Sequence, residues 1–343
     1  MATAAATTEN AALINLAKQM DRFDNIFYTC TFLVGTPLNF FCFLYHLLAC
    51  EKSNSRLIYL WITSLDSLIC FISVLSAISS FSSFPSGGLL EVDWICNAYG
   101  MILQIAFQLS YFLVTVMSCT RAVALKYPLF VIRRGLILGV MVCYAIFQIG
   151  IPCIFFAAGE QFQYNNIYRA CSTYYRQIIP VEFEKLAVFV HYTVCYVIPG
   201  VLTMGSAIVS CLSLQRNRGN TDPSYKRSAT ITIIYLTVAC VLINTPFHVV
   251  FLLYFIDDGY FTNFFLALNR FAWNYSMPLN SVVNVVIYIA RIKKMRQFIF
   301  EMITKVTCRS TPTRDSESQR RDRTSAPTTP KKSDGVDEVS TRV

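Results

Sequence analysis

Charge is what this sequence has least of. Only 14% of its 343 residues are Asp, Glu, Lys or Arg, against roughly 25% in an ordinary soluble domain. The shortage is concentrated. No charged residue falls between Asp24 and Glu51, between Asp93 and Arg121, between Arg134 and Glu160, between Lys185 and Arg216, or between Arg227 and Asp257. From Leu57 to Leu90 the one charge is Asp66, and from Tyr260 to Ala290 it is Arg270. The length would suit about two soluble domains, but buried helices this long and apolar rarely occur seven in succession. Other patterns are missing too. No signal-peptide pattern precedes the first run, because residues 1–22 are polar and the first apolar stretch is too long for an h-region. No metal motif and no nucleophile–base set lies in the runs, which argues against an enzyme. No related halves are visible, as many transporters would show.

What is present is seven stretches, each long enough for the roughly 20 helical residues that cross a hydrocarbon core. Backbone polar groups find no water there, so the stretches must be helical. The expected fold is an all-α membrane protein: a seven-transmembrane helix bundle over residues 23–290, preceded by an extracellular tail over 1–22. Basic residues set the orientation. Lys52 and Arg56 follow the first run, Arg121, Lys126, Arg133 and Arg134 the third, and Arg216, Arg218, Lys226 and Arg227 the fifth. Arg291, Lys293, Lys294 and Arg296 follow the seventh, whereas the second-to-third connection carries Glu91 and Asp93 and no base. The chain is therefore expected in the plasma membrane with its N-terminus outside and its C-terminus in the cytosol. The net charge of +9 is then a topology signal, and no nucleic-acid partner is implied.

Beyond the seventh run, Ile292, Met295, Ile299, Met302 and Val306 recur at helical spacing with basic residues opposite. Residues 291–308 read as an amphipathic helix lying in the membrane interface, in contact with lipid. Cys308 closes it, as an S-palmitoylation candidate or a plain thiol. Residues 309–343 hold 12 Ser or Thr and few apolar side chains, the composition of a disordered cytoplasmic tail. Its hydroxyls are candidate phosphate acceptors, a feature that would suit arrestin. The terminal Thr341-Arg342-Val343 could add as a strand to a PDZ-domain protein.

Most of the 13 cysteines lie within the runs and suit packing as small apolar groups. Cys96, at the outer end of the third span, and Cys171, in the loop after the fourth, can face the oxidising side and are expected to form a disulfide. Asp66 stands out because a carboxylate near a membrane helix centre costs roughly 2.5–3.5 kcal/mol on insertion scales and usually faces a polar interior. Asn280, Ser281 and Asn284 in the seventh span and Ser110 in the third offer partners. Such a cluster suits sodium or a proton, or is a hydrogen-bond network without an ion. Arg121 by position alone could be an ordinary basic anchor.

Its surroundings change that reading. Thr120-Arg121-Ala122-Val123-Ala124-Leu125-Lys126-Tyr127-Pro128 resembles the signature of rhodopsin-like G-protein-coupled receptors that begins Asp-Arg-Tyr and ends in proline. Asn280-Ser281-Val282-Val283-Asn284-Val285-Val286-Ile287-Tyr288 resembles that family's Asn-Ser-x-x-Asn-Pro-x-x-Tyr without the proline. Gly35 and Asn39, Leu65-Asp66, Trp94-Ile95-Cys96, Pro199 and Pro246 match further family positions in order, so the resemblance spans about residues 23–308.

The resemblance implies roles. Arg121 would hold the inactive state and later face a heterotrimeric G protein. Asn284 and Tyr288 would repack the seventh span, with Pro199 and Pro246 as the helix prolines of the switch. Asp66, Ser110, Asn280 and Asn284 would form a sodium pocket. Several positions depart from the pattern. Thr120 stands where an acid usually pairs with the arginine, and Lys226 where some members carry another. Asn244 replaces the sixth-span tryptophan, Cys240 a phenylalanine, Ala207 a tyrosine and Val285 the seventh-span proline.

The last span has no lysine, which excludes an opsin-type retinal Schiff base, and Leu103 stands where amine receptors carry aspartate. The ligand-pocket candidates are Leu103, Gln104, Phe107, His191, Tyr192, Asn244, Phe247, His248, Phe251 and Asn274, an aromatic set with neutral polar groups. A peptide, a small chemosensory molecule or a lipid would fit. His191 and His248 could bind zinc, although lone membrane histidines are more often hydrogen-bonded core residues. Against the receptor reading stands a seven-helix transporter or ion pathway using Asp66.

Overall fold

In a computed structural model the described residues are 23–50, 53–81, 90, 92–127, 132–157, 162–165, 170–173, 186, 189–216, 224–256, 272 and 275–308. The segments 1–22 and 309–343 lie outside them, as does Asn274. The chain divides into two compact units, Met1–Ile299 and Phe300–Val343.

The first unit is a helix bundle. The helices are α1 (Phe23–Leu48), α2 (Asn54–Phe81), α3 (Asp93–Lys126), α4 (Arg134–Ala157), α5 (Phe189–Arg216), α6 (Ser224–Ile256) and α7 (Ser276–Arg291). They account for the seven charge-poor runs. Five contain segments long and apolar enough to cross a membrane, and Arg134–Gly150 of α4 is a shorter apolar stretch. Neighbouring helices close a ring in the order α1, α2, α3, α5, α6, α7, with α4 packed on α3. The outside is greasy: Leu33, Phe71, Leu136, Ile146, Val201, Ile208 and Leu242 are all exposed. An apolar surface of this extent needs a lipid partner.

The interior holds three apolar clusters stacked along the bundle. One, around Tyr45, Ile62, Met117 and Tyr288, lies toward the end bearing Arg121. A second is built on Phe107, Tyr192, Tyr196 and Met277. The third surrounds the Cys96–Cys171 disulfide. Along α3, Cys96 and Arg121 are about 37 Å apart at 1.5 Å per residue. We call these the disulfide end and the arginine end.

Between α4 and α5 the chain forms a two-stranded antiparallel sheet, β1 (Phe162–Asn165) and β2 (Ala170–Thr173), in which Tyr164 pairs with Cys171. The sequence pattern predicts only a loop here, and the strands are a finding of the structure. The disulfide carries β2 to the start of α3. Two helices contain a π-turn, Thr31–Gly35 in α1 and Thr193–Val197 in α5. The second lies just before Pro199, which has no N–H to give to the helix.

Ile292 leaves helical geometry (φ −99°, ψ 96°) and separates α7 from α8 (Lys293–Cys308). Arg291 therefore ends α7 instead of opening the surface helix. In the first unit, Met295 and Ile299 of α8 are buried, as the amphipathic spacing requires. In the second, Phe300 and Ile303 are exposed. The side chains of Val306 and Cys308 lie outside the described residues.

Candidate functional site

Asp66, near the middle of α2, is fully buried and receives three hydrogen bonds. Ser110 of α3 donates to its Oδ1 at 2.7 Å, Ser281 of α7 to the same oxygen at 3.0 Å, and Asn284 Nδ2 to Oδ2 at 2.9 Å. One carboxylate thus joins three helices. A buried charge is stable only when its lone pairs are filled in this way.

The structure brings Ser110, Ser281 and Asn284 onto Asp66, all partners that the sequence offered, and Asn280 makes no hydrogen bond to it among the described residues. Asn280 is buried, and neither atom of its amide has a hydrogen-bond partner. The site is rich in oxygen: the carboxylate, two hydroxyls and Asn284 Oδ1, which is buried without a partner. Hard cations prefer such donors.

Asn39 braces this site from α1. Its Nδ2 donates to the Ser281 carbonyl of α7 at 3.3 Å and to the Gly35 carbonyl at 3.0 Å. Gly35 is needed there for close approach. A Cβ at that position would lie 2.7 Å from Cys70 Sγ and 3.0 Å from Val282 Cγ2, inside van der Waals contact.

Toward the arginine end, α3 is tied to α5 and α6 through neutral groups. Ser118 pairs with Thr237 at 2.9 Å and Cys119 with Ser206 at 3.1 Å. Thr203 donates to Thr115 at 2.8 Å, and Thr115 in turn to the Pro199 carbonyl at 3.4 Å. Arg121 Nε donates to Thr230 Oγ1 of α6 at 2.7 Å. A hydroxyl therefore meets the arginine across the helix gap. Thr120, in the acid's usual place, donates back to the Met117 carbonyl. The Lys226 side chain lies outside the described residues. Tyr288 is fully buried, its ring edge on Tyr59 at 5.3 Å, and its hydroxyl has no partner.

Toward the disulfide end, Phe107 and Tyr192 are buried in the second cluster and Leu103 packs against it. Gln104 is half-buried. The two histidines have separate partners. His191 Nε2 lies 3.2 Å from Gln108 Nε2, and His248 Nδ1 lies 2.7 Å from the Tyr192 hydroxyl. No metal-binding group of His, Cys, Asp or Glu occurs among the described residues. Asn244 turns its amide back to the Cys240 carbonyl of its own helix at 2.7 Å. The Phe247 and Phe251 side chains lie outside the described residues, and Pro246 sits inside α6.

Sequence reasoning missed Gln108 and Tyr196, which hydrogen-bond at 3.1 Å. Gln108 could have been found as the residue one turn on from Gln104 on the same face of α3. Asp24 was also missed. It looks like a charge flanking the first span, yet it is buried at the head of α1 and accepts a hydrogen bond from Tyr275, beside Phe23, Phe27 and Tyr28.

No protein-family model and no curated protein matches the chain by sequence. By structure it matches squid rhodopsin with a TM-score of 0.65 at 15% identity, over 90% of this chain and 93% of that one. The fold is that of rhodopsin. A rhodopsin fold with these apolar helices makes the chain a multi-pass membrane protein. At this identity the architecture is common and the chemistry must come from the chain's own residues.

Proposed function

We propose that this chain is a rhodopsin-like G-protein-coupled receptor of the plasma membrane, converting an extracellular ligand into activation of a heterotrimeric G protein. The observation that carries this reading is the Arg121–Thr230 hydrogen bond from α3 to α6. It is an inter-helix tie whose acceptor is a neutral hydroxyl. A bistable contact of this kind is what a population-shift switch needs. The ligand enters at the disulfide end, taken as extracellular, and is a peptide or a small chemosensory molecule. The basic arginine end faces the cytosol, where the G protein, and through the tail arrestin or a PDZ-domain protein, would engage.

The Asp66 site fits sodium. Asp66, Ser110, Ser281 and Asn284 would hold the ion, which supplies a positive charge that braces α2, α3 and α7 in one packing. The chain's own part is to orient three donors on one carboxylate and to exclude lipid from it.

The test is a G-protein activation screen in cells against peptide and odorant libraries, with Arg121→Ala as the control. Arg121→Ala at normal surface level should abolish any signal. A full response surviving that change would overturn the mechanism. A ligand-gated ion current lost in Asp66→Asn, with no G-protein signal, would favour an ion pathway instead.

A further inference from the structure

At the disulfide end, α3 and α5 form a second polar arrangement that the Asp66 site does not use. Gln108 is 1% exposed. Its Nε2 lies 3.2 Å from His191 Nε2 and donates to the Tyr196 hydroxyl at 3.1 Å. Its Oε1 is buried with no hydrogen-bond partner among the described residues. A buried acceptor left empty costs about 1–3 kcal/mol, and such groups in native folds are normally filled by protein, water or ligand. Tyr196, which takes that hydrogen bond, belongs to an apolar cluster with Phe107, Tyr192, Val250 and Met277. These are rings and aliphatic chains without formal charge.

We propose that this compartment takes a small neutral ligand whose hydroxyl or amide N–H donates to Gln108 Oε1 while its apolar body packs on Phe107 and Met277. The inference rests on the receptor reading and names the ligand class of its outer compartment. The alternatives fail on physical grounds. A cation could donate to the same oxygen, but the buried carboxylates among the described residues are Asp24 and Asp66, both already hydrogen-bonded elsewhere, so it would carry its full desolvation cost. A carboxylate would set acceptor against acceptor. A pure hydrocarbon or an ether would leave Oε1 empty, and a site built around a hydrogen bond rejects the analogue that lacks it.

The experiment uses the full-length chain in lipid nanodiscs and follows thermal unfolding against matched probes. These are 2-phenylethanol and its methyl ether, benzamide and N,N-dimethylbenzamide, with phenethylamine and phenylacetate as charged controls. The donor member of at least one pair should stabilise the protein at a concentration about tenfold lower than its blocked partner, which corresponds to one hydrogen bond. The alcohol and amide arms tell which donor is preferred. Gln108→Met should bring the two members of a pair within about twofold. Gln108→Asn keeps the amide but draws the carbonyl back by one methylene, and should give an intermediate ratio if the methionine variant fails to fold. Equal potency of alcohol and ether would mean that water fills the acceptor, and it overturns the proposal. So would preference surviving in Gln108→Met, stronger stabilisation by a charged probe, or no stabilisation by any neutral donor up to millimolar concentration. No G protein is present, so binding that is selective but silent in cells would count against the receptor reading and leave this one standing.

Discussion

Thr230→Val is the sharpest probe of the switch. The substitution removes one hydroxyl and nearly preserves volume at a fully buried position of α6. What it deletes is the 2.7 Å acceptor for Arg121 Nε. A hydrogen bond to a charged group contributes about 1.5–3 kcal/mol, and about 1.4 kcal/mol is a factor of ten in an equilibrium. If the tie belongs to the resting packing of α3 on α6, its loss moves the two-state equilibrium toward the active state by about tenfold or more. A receptor about 1% active without ligand would become about 10% active. The assay is ligand-independent G-protein activation normalised to surface level. Thr230→Glu supplies a carboxylate in place of the hydroxyl and should lower basal activity below wild type. Unchanged basal activity in Thr230→Val, at normal surface level, would refute the assignment of Arg121–Thr230 as the resting tie.

Two further predictions address the core of the bundle. Asp66→Asn should fold with a loss of about 1–2 kcal/mol, because Asn284 can flip its amide and offer its unpartnered Oδ1 to the new Nδ2; Asp66→Leu, which strands three donors, should lose surface expression. The same Asp66→Asn chain should show equal unfolding temperatures in sodium and potassium chloride, whereas wild type should be higher in sodium, and a sodium shift retained in the variant would sink the ion assignment. Gly35→Ala, whose Cβ would sit 2.7 Å from Cys70 Sγ, should cost about 1–3 kcal/mol by overpacking. Combining it with Cys70→Ala should recover more than about 0.5 kcal/mol of the summed single costs; strict additivity in thermal unfolding would show that the close approach is not the cause.

Much of this was legible in the residues because the membrane is a severe solvent. Backbone groups without water must pair within a helix, so a charge-free run fixes the element before any partner is known. The amphipathic period of α8 followed from a similarly local pattern, and the Cys96–Cys171 disulfide from the side of the membrane that each cysteine faces. Asp66 was conspicuous because a carboxylate in hydrocarbon demands partners.

The identity of those partners was another matter. Asn280 and Ser281 are neighbours in sequence, and either could serve a carboxylate on composition alone. The packing of α7 on α2 puts the Ser281 hydroxyl on the carboxylate, while Asn280, next to it in sequence, makes no hydrogen bond to it among the described residues. The acceptor for Arg121 lies 109 residues away on α6, where a threonine carries no motif. Asp24 looked like a flanking charge until α1 and α7 buried it against Tyr275. What the sequence by itself determined is which segments are helices in a membrane, since that depends on each segment's own solvation. Only the tertiary structure decided which face of each helix meets which neighbour. That choice depends on side-chain packing between segments far apart in the chain, and the apolar faces of these helices are too alike to encode it locally.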